Sequence, residues 1–229
     1  MGKLKLINNQ LVSKEGLSKK KLILLDELRL LYVFFPPTLK SWFVVSSTSN
    51  IQWLNLDALS ADEIERFSSD YDQLIKEEKG FFLSDIKLIM ADFHNNYSIF
   101  TLKDFKKAGI NIFSILLSYR TERLQRLHQW LQTDPQVQMV GVMSQKALVN
   151  SRGFRRGNKV LDWDDLETLK VNTANLSTFL LLIPKGVSTG MFSFKQYKYT
   201  IGISEKKKEY YVAECDFWHS MAKDSNIRN

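Results

Sequence analysis

The strongest constraint on what this chain of 229 residues can fold into is an internal repeat, because repeated strand-forming sequence means that one supersecondary unit is built twice. Leu11-Val12-x3-Gly16-Leu17 matches Leu148-Val149-x3-Gly153-Phe154. The run from Leu22 through Asp26 and Leu28 to Leu31 and Val33 matches the run from Val160 through Asp164 and Leu166 to Leu169 and Val171. Trp42 to Val45 then matches Thr178 to Leu181, and with two single-residue gaps the span 11 to 45 holds eight identities. The Gly, Asp and apolar positions coincide, so the expectation is a duplication whose copies are separated by a different kind of sequence.

Short β-rich runs bounded by turn residues predict strands over 4–7, 10–12, 22–25, 28–35, 42–46 and 51–56, a small antiparallel sheet. A helix follows, since Ser60 and Glu63 form a capping box and Ile64, Phe67, Tyr71, Leu74 and Ile75 recur at helical spacing up to Gly80. From 84 to 132 the period reads as helical throughout: a stripe of Ile86, Ile89, Met90 and Phe93, a short helix from Thr101 to Gly109, then a rod from about Asn111 to Gln132 closed by Asp134-Pro135. After Pro135 strands are expected over 139–143, 146–150, 159–161, 166–171, 178–183, 197–203 and 209–213, with 204–208 as the last hairpin loop. A helix over 214–222 and a frayed tail end the chain. The implied division is 1–79, a helical block 80–134, and 135–229.

Composition narrows the class. With 44% hydrophobic and 25% charged residues, four Pro and ten Gly, the chain is a folded globular protein. Its longest apolar runs, Leu30 to Phe35 and Phe179 to Ile183, fall far short of the roughly 18 residues of a membrane span. One cysteine, Cys215, excludes an intramolecular disulfide and makes a reducing cytoplasmic compartment the economical expectation. A net charge of +7 favours anionic partners without demanding them.

The second copy carries Gly153-Phe154, the basic hairpin Arg155-Arg156-Gly157-Asn158-Lys159, the corner Leu161-Asp162-Trp163-Asp164-Asp165-Leu166, and Leu182-Ile183-Pro184-Lys185. This pattern resembles the bacterial pleckstrin-homology-like domains, in which a "GF" strand end, a basic hairpin, a Trp-containing corner and an "IPK" follow in that order. The first copy keeps Leu24-Leu25-Asp26-Glu27-Leu28 but lacks the Trp. The resemblance implies an α+β chain of two small antiparallel PH-like split barrels, each capped by a C-terminal helix and separated by a helical block. Such barrels serve mostly as binding modules for peptides, proteins or lipid headgroups.

Candidate chemistry is sparse. Lys19, Lys20 and Lys21 and the group Arg152, Arg155, Arg156 and Lys159 fall at matching hairpins of the two copies, and Lys206, Lys207 and Lys208 form a third basic cluster; together they are candidate anion-binding residues, set against the ordinary enrichment of lysine at solvated edges. Arg120, Arg123 and Arg126 line the second half of the rod as candidate nucleic-acid contacts, although the apolar Ile112 to Leu117 preceding them reads as core or as a brace. Asp162, Asp164, Asp165 and Glu167 could ligate a divalent ion, but alternation places them at a structural corner. Cys215 and His219 are four apart with no third orienting group, and His94 and His128 lack ligands at zinc spacing. No catalytic set, cofactor or metal is expected. The sequence points to a non-enzymatic adaptor or complex subunit binding protein partners, with an anionic-surface binder (nucleic acid or phospholipid headgroup) and a metal-dependent enzyme using 162–167 as alternatives.

Overall fold

The computed structural model describes residues 4–15, 19–34, 53–76, 82–174, 177–187 and 199–223. The chain is a mixed α+β protein; its described residues form five α-helices and four antiparallel sheets. No helix among them is long and apolar enough to cross a membrane. Two compact units divide it, Met1–Leu127 and His128–Asn229.

Unit 1 opens with a meander of β1 (Lys5–Ile7), β2 (Gln10–Glu15) and β3 (Lys19–Leu24). Asn8 and Asn9 make the two-residue β1–β2 turn with positive φ of 47° and 64°, a conformation asparagine tolerates. A 3₁₀ turn at Leu25–Glu27 bends the chain into β4 (Leu28–Phe34), buried along nearly its whole length. Then follow β5 (Trp53–Asn55), α1 (Ala61–Lys76), β6 (Lys87–Asp92) and β7 (Tyr97–Thr101), the second sheet having the order β5-β4-β6-β7. Three helices complete the run: α2 (Leu102–Ala108), α3 (Ile112–Ser118) and α4 (Arg120–Leu131), whose last residues from His128 onward belong to unit 2. Apolar faces of α1, α2 and α3 close over the sheets, so Phe67, Tyr71, Phe105 and Phe113 share one core with Leu31, Val33, Leu88 and Met90.

Unit 2 is a four-stranded meander of β8 (Val137–Val140), β9 (Lys146–Val149), β10 (Gly153–Arg156) and β11 (Lys159–Asp162). A 3₁₀ turn at Trp163–Asp165 leads into a three-stranded meander of β12 (Leu166–Ala174), β13 (Ser177–Pro184) and β14 (Tyr199–Ile203), and α5 (Lys208–Lys223) ends it. Nearly every side chain from Glu209 to Trp218 of α5 is buried. Gly153 is required by packing, because a Cβ there would lie 2.2 Å from the Leu161 carbonyl oxygen across the β10–β11 pair.

The two 3₁₀ corners share a main-chain pattern. Leu25 N–H donates to the Asn9 carbonyl at 3.0 Å, and Trp163 N–H donates to the Arg152 carbonyl at 3.3 Å. Phe93 N–H donates to Glu27 O and Lys185 N–H to Asp165 O, at 3.2 and 2.8 Å. Each corner opens on a bulged strand, the register slipping between Leu28 and Leu30 against β6 and between Leu166 and Thr168 against β13. Leu31 faces Met90 as Leu169 faces Leu182, so β6 and β7 are the counterparts of β13 and β14. Unit 1 differs by having β5 and α1 inserted between the strand that leaves the corner and its partner.

These registers correct several expectations. Residues 87–101 form the β6–β7 hairpin, not a helix with Ile86, Ile89, Met90 and Phe93 on one stripe. A strand buried on both faces shows an unbroken apolar run, and such a run carries no period that separates it from a helix. Helix α1, expected to end the first copy as its cap, is followed by two more strands of the same sheet. The rod breaks at Tyr119, whose φ of −99° and ψ of 0° separate α3 from α4. Residues 209–213 are helix, not strand. The match of Leu11 with Leu148 shifts too: Leu11 pairs with Ile23 as Phe154 pairs with Leu161, which makes β2 the counterpart of β10. Residues 42–45 lie outside the described residues, and the strand that answers Thr178 to Leu181 by register is β6.

Candidate functional site

The basic candidates are dispersed by the fold. Lys19, Lys20 and Lys21 sit in strand β3, not in a hairpin loop, paired through the main chain with Glu15, Lys14 and Ser13. Their side chains lie outside the described residues. Lys206 and Lys207 belong to a 3₁₀ turn and Lys208 starts α5, so this cluster is a helix entry and not a hairpin tip. The Lys207 ammonium sits 3.5 Å from the Val140 carbonyl and over the Tyr211 ring, while Lys208 pairs with Glu205 at 3.4 Å. Arg152 pairs with Asp134 at 3.3 Å, and Arg156 donates to the Thr200 carbonyl. Arg155, Lys159 and Lys206 are exposed.

The helix arginines turn into unit 1. Arg120 donates to the Leu59 carbonyl. Arg123 is 1% exposed and forms a two-point pair with Asp57, its Nη1 lying 2.9 Å from Oδ2. Arg126 bridges Asp26 at 3.1 Å and Glu122 at 2.6 Å. A guanidinium buried against a carboxylate, as that of Arg123 is, is not presented to a phosphate, and all three arginines bond groups on the unit 1 side of α4.

The acids of the second corner gather instead around a groove of about 760 Å³ in unit 2. Leu131, Met221 and Ala222 supply its apolar surface. Its rim holds Asp134, Asp162, Asp164 and Asp165 against one guanidinium, that of Arg152. Glu167 is not among the lining residues and is exposed. Among the described residues no group of three or more His, Cys, Asp or Glu side chains is arranged to hold a metal ion. The sequence showed the corner acids but not their neighbours: Asp134 read only as a helix stop, and Leu131 and Met221 only as apolar positions.

Cys215 and His219 do not meet as a catalytic pair. The thiol is fully buried with its Sγ 3.9 Å from Met139 Sδ, and burial first, then Glu214 and Asp216, pushes its pKa well up. His219 packs its ring 6.1 Å from that of Trp163. Burial is the main cause that lowers the His219 pKa below 6.5, helped by Lys223 and Lys185 and opposed by Asp164. Protonation therefore favours the unfolded chain: the stability this ring contributes is whole above pH 6.5 and is lost as the pH falls through the window down to its lowered folded value. The melting temperature should drop more steeply between about pH 7 and 5.5 in the native chain than in a His219→Gln variant. Equal slopes would remove His219 from the balance.

Comparison with family models, with curated proteins and with solved structures finds no match to this chain.

Proposed function

We propose that the chain is a non-enzymatic adaptor or subunit of a larger complex, with two PH-like modules that bind protein partners. The observation that carries this reading is the order of elements in unit 2: a four-stranded meander, a bent corner, a three-stranded meander and a closing helix. The corner and its bulged strand recur in unit 1. The resemblance to pleckstrin-homology-like domains implies antiparallel strands capped by a C-terminal helix, which this order supports, and the superfold is used mainly for binding. The buried thiol and the helix arginines engaged inside unit 1 fit the same reading. A metal-dependent reaction at 162–167 draws no support from the arrangement of those acids.

One observation favours an anionic-surface reading: Arg155 and Lys159 flank the Gly157 turn with their side chains exposed. A titration with duplex DNA, single-stranded nucleic acid and acidic liposomes separates the two. The expected result is no submicromolar binding at about 0.15 M salt, and no more than a twofold change when Arg155, Lys159 and Lys206 are replaced by serine, because among the described residues few exposed basic side chains converge. Arg156 is left in place since it holds Thr200. Submicromolar, salt-sensitive binding abolished by those substitutions would replace the adaptor with an anion binder.

A further inference from the structure

We propose that the groove of unit 2 is the docking site for a basic, apolar-faced helix of a partner protein, which anchors an arginine on the corner carboxylates. The duplication supplies the chemistry of the occupant. In unit 1 the Arg126 guanidinium lies 3.1 Å from the corner carboxylate Asp26, and the Tyr119 hydroxyl donates to the Asn9 side chain. Asp26 corresponds to Asp164, each being the middle residue of its 3₁₀ corner. Asn9 corresponds to Arg152, each accepting the main-chain hydrogen bond from the first corner residue. Asp164 and Arg152 both line the groove. In unit 1 the corner carboxylate thus meets an arginine of α4, while in unit 2 the corner, whose Trp163 ring packs against His219 of α5, fronts the groove.

Charge and shape define what fits there. Asp162 stands where the first copy has Leu24, and with Asp134, Asp164 and Asp165 it gives the rim four carboxylates against one guanidinium, in a chain whose net charge is +7. Such a rim repels phosphate and attracts a cationic side chain, and arginine meets carboxylates with paired, charge-assisted hydrogen bonds. Leu131, Met221 and Ala222 add an apolar floor that favours a leucine or aromatic neighbour on the same helix face. A groove of about 760 Å³ holds the anchoring side chains of a helix and not the helix itself, so the contact is small and its affinity is set by a few anchors.

The inference rests on the adaptor reading only in taking the partner to be a protein. Its test uses the chain's own precedent as probe: a fluorescein-labelled synthetic peptide of residues 119–132, titrated with the full chain and followed by anisotropy. Half-saturation is expected at roughly 10–100 μM in about 0.05 M salt, weakening several-fold by about 0.5 M. Asp164→Asn combined with Asp165→Asn should lower the affinity about tenfold or more with the melting temperature kept, as should peptide versions carrying glutamine at the positions of Arg123 and Arg126. Met221→Glu, which alters the floor and not the rim acids, should weaken binding as well. Absence of saturable binding up to about 1 mM, or binding that ignores the Asp164 and Asp165 changes, would overturn the proposal. So would self-association of the chain, measured by sedimentation and lost in the same variants, which would assign the groove to a second copy. None of these failures touches the adaptor reading, which the anionic-surface titration decides separately.

Discussion

Replacing Trp163 by alanine is expected to destabilise unit 2 by about 3 to 5 kcal/mol, the range for large aromatics removed from a packed core. Trp163 is 1% exposed and opens the 3₁₀ corner between the two sheets of its unit. Its indole Nε1 donates to the Asn150 carbonyl at 2.7 Å, and its ring meets His219 of α5. Truncation thus opens a cavity where sheet, corner and helix come together, and it strands a carbonyl that loses its donor. Trp163→Leu provides the graded comparison. Leucine is what the first copy has at this position, where Leu25 is 0% exposed, so the corner backbone accepts it and the loss should shrink to about 1 to 3 kcal/mol. Urea unfolding followed by far-ultraviolet circular dichroism measures both. A loss below about 1 kcal/mol for Trp163→Ala would mean that the corner does not depend on this ring.

The corner was legible in the sequence because its chemistry is local. Asp26 and Asp164, the leucines that follow them and the buried residue before each are fixed by a turn of three residues, and the same local need selects the same residue types twice. The capping boxes at Ser60 and Thr101 could be read for the same reason, since a hydroxyl and a carboxylate three apart satisfy helix N–H groups without help from elsewhere. The β6–β7 hairpin could not be read. Leu88, Ile89, Met90 and Ala91 are all fully buried, and only the pairing of that run with β4, more than fifty residues earlier, makes it a strand. Glu209 to Ala213 misled in the opposite direction, because Tyr210, Tyr211 and Val212 favour strands in isolation while burial on all sides made them helix. The groove stayed hidden since its walls come from the end of α4 and the turn after it, the turn between β9 and β10, the corner after β11 and the end of α5. No spacing along the chain encodes a convergence of that kind. The arginines of α4 were visible, but their destination was not: Asp57 and Asp26 lie sixty-six and one hundred residues away from Arg123 and Arg126.

That distance makes the Arg123–Asp57 pair the second place where a single substitution should act strongly. The two side chains are 2% and 7% exposed, and the guanidinium meets the carboxylate through both terminal nitrogens. Asp57 is itself held in a 3₁₀ turn, its N–H donating 3.0 Å to the Asn55 side chain, so the carboxylate is aimed before the arginine arrives. Removing one partner leaves the other charge buried without compensation, and Arg123→Ala or Asp57→Ala should each cost about 3 to 5 kcal/mol. Arg123→Lys should not rescue the pair, because one ammonium cannot reproduce the two-point contact. Replacing both partners, Arg123→Met with Asp57→Leu, removes both desolvation penalties at once, and the double variant should lie within about 1 to 2 kcal/mol of the native chain. The cycle formed by these variants, measured by urea unfolding, gives the coupling directly. Additive losses in the double variant, or single losses below about 1 kcal/mol, would show that α4 is held to unit 1 by its apolar contacts and not by this ion pair.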